Sequence, residues 1–112
     1  MRPTRFYSNR QEKHVAKTLN GHKTANSGAT KFVKGDVLTN EFLIECKTCT
    51  KEQSTFTIKR EWIEKNETEA FAMHKPYSAL AIDFGDGKQH YIISEKLFRK
   101  LVNFLEDEHE NN

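Results

Sequence analysis

The sequence is poor in the residues that interrupt or staple a chain. Two prolines and five glycines in 112 residues exclude a collagen-like or low-complexity polypeptide and leave long stretches free to form regular structure. Two cysteines are too few for a disulfide-stapled scaffold. They stand as Cys46 and Cys49, a C-x-x-C spacing, but zinc needs about four ligands, no second cysteine pair exists, and His14 and His22 lack finger spacing. In an extended strand the odd offset also sends the two thiols to opposite faces, so Cys46 is read as a small core residue and Cys49 as a free loop thiol. No apolar run approaches a membrane span, and the N-terminus lacks the apolar stretch of a secretion signal. A single cytoplasmic domain covering residues 1–112 is expected, with no membrane partner. The Asn66-Glu67-Thr68 sequon is then accidental.

Charge is plentiful and uneven. Met1 to Arg60 holds 12 Lys/Arg against 5 Asp/Glu, whereas Glu61 to Asn112 holds 6 against 11, giving +7 and −5 within a net charge of +2. The basic half, with Arg2, Arg5, Arg10, Lys13, Lys17, Lys23, Lys31, Lys34 and Lys51, suits a polyphosphate partner. A charge run is usually only solvated surface. Three of the five acids in that half are Glu12, Asp36 and Glu45, however, and an acid placed against DNA requires a cation to be tolerated.

Two of those acids, Asp36 and Glu45, stand within the stretch Lys34 to Lys47. Period-two alternation puts Phe42, Ile44 and Cys46 on one face of a strand, and Leu43, Glu45 and Lys47 on the other. With Thr39-Asn40 as a two-residue turn, Leu38 pairs with Glu41 and Asp36 with Leu43, so Asp36 joins the face of Glu45 and Lys47. Asp36 and Glu45 are then diagonal neighbours, roughly 7–8 Å apart, whose carboxylates can converge on one hard cation. A metal-dependent nuclease site is the chemistry this predicts.

Along the chain, Met1–Tyr7 reads as a mobile basic arm. Ser8 with Gln11 forms a capping-box pattern for a helix carrying Val15, Ala16 and Leu19, and Gly21 stops it. Glu12 shares the sheet-facing side of that helix, where an acid needs a partner or a metal; a first-turn glutamate favoured by the helix dipole is the plainer reading. His22 to Thr30 is a polar loop, Phe32 to Leu38 and Glu41 to Thr48 are strands, and Thr55 to Ile58 is a third, β-branched strand. Lys59 to His74 is a helix offering Trp62, Ile63, Ala70, Phe71 and Met73 for packing. Ala79 to Phe84 and His90 to Ile93 are strands around a Gly85-Asp86-Gly87-Lys88 turn. Ser94 caps a last helix with an apolar face at Leu97, Phe98, Leu101, Val102 and Leu105, and 106–112 frays into an acidic tail. The order is αβββαββα, and Asp83-Phe84-Gly85 imitates a kinase tripeptide by chance.

Asp36 followed by Glu45-Cys46-Lys47, after a helix carrying Glu12, resembles the PD-(D/E)XK nuclease superfamily, with Gly35-Asp36 where the family name has Pro-Asp. Within it the chain looks most like the small Holliday-junction resolvases of archaea and phages, through the basic N-terminus, Glu12, the Ser27-Gly28 step, Asp36, Glu45 to Lys47 and the apolar strand at Ala79 to Phe84. The resemblance implies a restriction-endonuclease-like α/β fold with an αβββαβ core, a mixed central sheet and a C-terminal helix. It implies catalytic Glu12, Asp36, Glu45 and Lys47, and Mg²⁺ (Mn²⁺ as substitute) held by Asp36, Glu45 and the Cys46 carbonyl, with Glu12 supporting a second metal position. Lys47 would orient the attacking water, and Arg2, Arg5, Arg10, Lys13, Ser27, Lys31, Lys34 and Lys51 would contact DNA. A branched DNA substrate, a homodimer making paired nicks and, for a phage-encoded chain, the host cytoplasm follow from the same resemblance. The alternatives are related nucleases acting on flaps, nicks or duplex, and a non-catalytic DNA-binding module.

Overall fold

The computed structural model describes residues 2–24 and 36–110. Among the described residues three helices and five strands follow one another as α1 (Thr4–Thr18), β1 (His22–Lys23), β2 (Asp36–Leu38), β3 (Phe42–Thr48), α2 (Arg60–Ala72), β4 (Tyr77–Asp83), β5 (Gln89–Ile92) and α3 (Glu95–Glu110). The strands form one sheet in the order β1-β2-β3-β4-β5. Among the described residues only β3 and β4 run parallel, and α2 makes the crossover between them. The α/β class, the mixed sheet and the C-terminal helix agree with the sequence.

Helix α1 starts four residues earlier than Ser8, so Thr4 to Tyr7 is helical rather than a mobile arm. The Ser8 hydroxyl lies inside the helix and donates to the Thr4 carbonyl at 3.4 Å, the back-bonding open to a mid-helix serine. Gln11 is no capping residue either. It is buried, and its amide nitrogen donates to the carbonyls of Lys47 and Ala81, each at 3.0 Å, and to Gln89 Oε1 at 2.9 Å. From α2, Asn66 does the same on β3 and β4, reaching the Leu43 and Ala79 carbonyls at 3.4 and 3.1 Å. Its burial removes the sequon from any modifying enzyme in the folded chain.

Helix α1 ends at Thr18 with Leu19 as its C-cap, and Asn20 takes the left-handed conformation with φ 55. Gly21 N–H then donates to the Ala16 carbonyl at 2.8 Å, completing a Schellman closure. Glycine is needed at 21 for another reason, because a Cβ there would stand 2.5 Å from the Leu38 carbonyl oxygen. His74, with φ 60, closes α2 in the same manner.

Between them the sheet faces divide cleanly. Val15 of α1 packs with Val37, Ile44, Ala79 and Ala81 in the buried core. Alternation sends Asp36, Leu43, Glu45 and Lys47 to the opposite face, which α2 covers. The expected third strand does not form: Thr55 to Ile58 has no strand conformation, and the neighbours of β3 in the sheet are β2 and β4. The edge position is taken by the two-residue β1, within a segment expected to be loop. Phe71 is 84% exposed rather than packed. Residues 106 to 110 continue α3 instead of fraying. No helix among the described residues is long and apolar enough to cross a membrane.

Candidate functional site

The β2–β3 hairpin differs from the sequence expectation by two positions. Asp36 stands directly opposite Glu45, Val37 opposite Ile44 and Leu38 opposite Leu43, so the turn is the four residues Thr39 to Phe42. Thr39 N–H donates to the Phe42 carbonyl, and Phe42 N–H to Thr39 Oγ1, each at 3.0 Å. Lys75 Nζ latches the turn from the end of α2, donating to the carbonyls of Thr39 at 2.8 Å and Asn40 at 3.1 Å. Asp36 is tied in turn to β1, its carbonyl accepting from Thr24 N–H at 2.9 Å. Because the displacement is even, Asp36, Glu45 and Lys47 still share one face, and direct pairing brings the backbones of the two acids to roughly 4.5–5.5 Å.

This face is sheltered. Asp36 is only 3% exposed, and burial is the main cause that pushes its carboxyl up to about 8; Glu45, Glu69 and Glu12 add repulsion against the opposing pull of Lys47. Glu45 is also raised, chiefly by burial, with Lys47 and Lys65 pulling the other way. Its Oε1 lies 4.0 Å from Lys47 Nζ, while its Oε2 is buried with no hydrogen-bond partner. Trp62 of α2 floors the lysine, with Nζ 4.3 Å from the ring centroid.

Glu12 is buried on α1, above the face carrying Val37 and Ile44. Its Oε1 is 3.8 Å from Nζ of Lys23, which pairs with Val37 and so shares that side. Burial raises its carboxyl, with Lys23 and Arg5 opposing. The structure therefore gathers Asp36, Glu45 and Lys47 on the α2 side and holds Glu12 on the other helix, near enough to repel Asp36. The Cys46 side chain packs against the core, and burial followed by the charges of Glu12, Asp36 and Glu45 pushes its thiol up; Cys49 is free and half-buried. Arg2, Arg5, Arg10 and Lys13 are exposed on or just before α1. Arg2 lies 4.2 Å over the Phe6 ring and Arg10 5.4 Å over that of Tyr7. Lys51 is exposed on the loop after β3. Ser27, Lys31 and Lys34 lie outside the described residues.

Glu69 is the acid the sequence reading did not single out. It is buried on α2; desolvation raises its carboxyl, Lys65 opposes and Glu45 adds repulsion. Its Oε1 has no hydrogen-bond partner and lies 3.9 Å from Lys65 Nζ. The signal was present as Trp62, Asn66, Glu69 and Ala70, which share one face of α2 at helical spacing.

No three His, Cys, Asp or Glu side chains among the described residues converge closely enough to share an ion as they stand. What fits a hard divalent cation is the all-oxygen donor set and the unpartnered buried oxygens of Glu45 and Glu69. Comparison with protein-family models, with characterised proteins and with solved structures found no match.

Proposed function

We propose that the chain is a Mg²⁺-dependent, structure-selective DNA endonuclease of restriction-endonuclease-like fold that resolves four-way junctions by paired symmetric nicks. The observation that carries this reading is the pairing of Asp36 with Glu45 on a buried sheet face, with Lys47 two residues further on. Burying like charges together is costly unless a cation compensates. A module that only bound phosphates would gain nothing from such acids.

Asp36, Glu45 and the Cys46 carbonyl would hold Mg²⁺, with Mn²⁺ as substitute, and Glu12 or Glu69 would support a second position. When bound, the ion supplies positive charge to the phosphate oxygens that become more negative during in-line attack. Lys47, confined between Glu45 and Trp62, would orient the attacking water through its ammonium and offset charge beside the phosphate. Arg2, Arg5, Arg10 and Lys13 along α1, with Lys51, would hold the DNA backbone. The row of Arg2, Phe6, Tyr7 and Arg10 also favours a second reading, a DNA-binding module without cleavage.

A synthetic four-way junction and a matched linear duplex, each incubated with Mg²⁺ and with chelator, separate these readings. Paired cuts confined to the junction and dependent on metal are expected. Equal cutting of both DNAs would leave a nuclease aimed at duplex, flaps or nicks, and binding without cutting would leave the module. Glu69→Gln is expected to weaken Mn²⁺ binding by about tenfold in calorimetry without DNA. An unchanged affinity would make Glu69 a buried structural acid and leave the Asp36–Glu45 site intact.

A further inference from the structure

Helix α1 carries an aromatic ring on the side that faces away from the sheet. Its buried residues Gln11 and Val15 mark the sheet-facing side. At about 100° per residue, Phe6, Asn9, Arg10 and Lys13 fall in one stripe about 100° wide on the opposite side. Phe6 takes no part in the core cluster. Its neighbours are Tyr7, whose ring stands at 90° to it with centroids 5.3 Å apart, and the guanidinium groups of Arg2 at 4.2 Å and Arg10 at 5.7 Å. Core packing does not explain such a ring. Aromatic rings and guanidinium planes are the surfaces on which a nucleobase stacks.

Beside the ring lies a cleft of about 330 Å³ lined by Phe6, Asn9, Arg10 and Lys13 of α1 and Lys23 of β1. Among the described residues no acidic side chain lines it, and neither Arg10 nor Lys13 forms an ion pair. Lys23 lies 3.8 Å from Glu12 Oε1 and still reaches the cleft. One aromatic ring, one amide that both donates and accepts, and three cations therefore meet in one place. A phosphate alone would use the cations and leave the ring idle. An apolar ligand would use the ring and be set against the cations. A nucleotide uses both, and it must be unpaired, because a base inside a duplex has its faces covered by its neighbours.

We infer that this cleft takes an unpaired nucleotide of a DNA strand, with its base laid against Phe6, the base edge met by the Asn9 amide, and the flanking phosphates on Arg10, Lys13 and Lys23. The inference rests on the DNA-binding part of the proposed function and not on cleavage. It extends that binding from phosphates to bases.

Fluorescence anisotropy of labelled DNA with the full chain, in chelator so that nothing is cut, tests it. A short oligothymidylate should bind about tenfold tighter than an abasic strand of the same length and charge. A duplex with one bulged thymine should likewise bind about tenfold tighter than the fully paired duplex. Phe6→Ala should erase both differences while the abasic strand binds as before, which also shows that the variant is folded. Phe6→Tyr, which keeps a ring, should retain both. Equal binding of oligothymidylate and abasic strand by the native chain would overturn the inference and leave the phosphate contacts standing. So would a preference for bases that survives Phe6→Ala. Failure to bind any of these DNAs would remove the DNA-binding reading itself, and the inference with it.

Discussion

Glu45→Ala is expected to lower the rate of junction cleavage by at least about 10³-fold while leaving junction affinity unchanged or higher. Asp36 alone would then face the cation from the paired strands, and the charge stabilisation needed by the transition state would be lost. Binding follows the opposite logic, because the α1 cations remain and one acid that repels phosphate is gone. Stability should not suffer, since burial already disfavours the ionised Glu45 carboxylate. Single-turnover cleavage, binding in chelator and a melting curve check the three parts. Intact cleavage would remove Asp36 and Glu45 from the active site. Joint loss of cleavage, binding and melting temperature would show that Glu45 is structural.

The metal-free protein should lose on the order of 3–5 kcal/mol of stability between pH 4 and pH 8, and most of that loss should disappear in Asp36→Asn. Asp36 has its carboxyl raised to about 8 in the folded chain, by burial first and then by Glu45, Glu69 and Glu12 against Lys47. Unfolded, it titrates near 3.9. Below the unfolded value both states hold the proton and its contribution to stability is fully present. As the pH rises through that window the unfolded chain releases the proton more readily than the folded one, so unfolding becomes progressively favoured until the folded carboxyl titrates. Glu45, Glu69 and Glu12 are raised as well and act in the same direction. Mg²⁺ at pH 8 should restore part of the loss by binding the folded state. Denaturant midpoints across the pH range measure it, and a flat profile in native chain and variant alike would contradict the sheltered-acid geometry.

Several elements were readable because their periodicity is long or their ends are marked. The apolar run of β4, the glycine turn into β5 and the Ser94 cap each stand within one or two residues of expectation. The failures share a cause, which is that local pattern was asked to decide a tertiary matter. Thr55 to Ile58 has strand propensity but joins no strand, while His22–Lys23 has almost no pattern and finds an edge at β2. Ser8 and Gln11 imitate a capping box, yet Gln11 is committed to the carbonyls of β3 and β4, and the helix extends past both. Glu45 and Lys47 were legible from alternation alone, whereas Asp36 was placed beside them by an assumed two-residue turn that is wrong in register but right in parity. The part played by Glu69 was not legible, because it depends on which helix covers which face of the sheet.

That hairpin also constrains how the site can vary. Sliding β2 against β3 by two residues leaves Asp36 on the side of Glu45, as the difference between the expected and observed registers demonstrates. Sliding by one would turn Asp36 into the packing of Val15 and Ile44 and expose Val37 to the acids. The Thr39 to Phe42 turn is therefore under a parity rule: changes in strand pairing that accumulate in even steps preserve the chemistry, and a single odd step destroys both the core and the site at once. Lys75, holding the turn by two carbonyls, acts as the register's keeper.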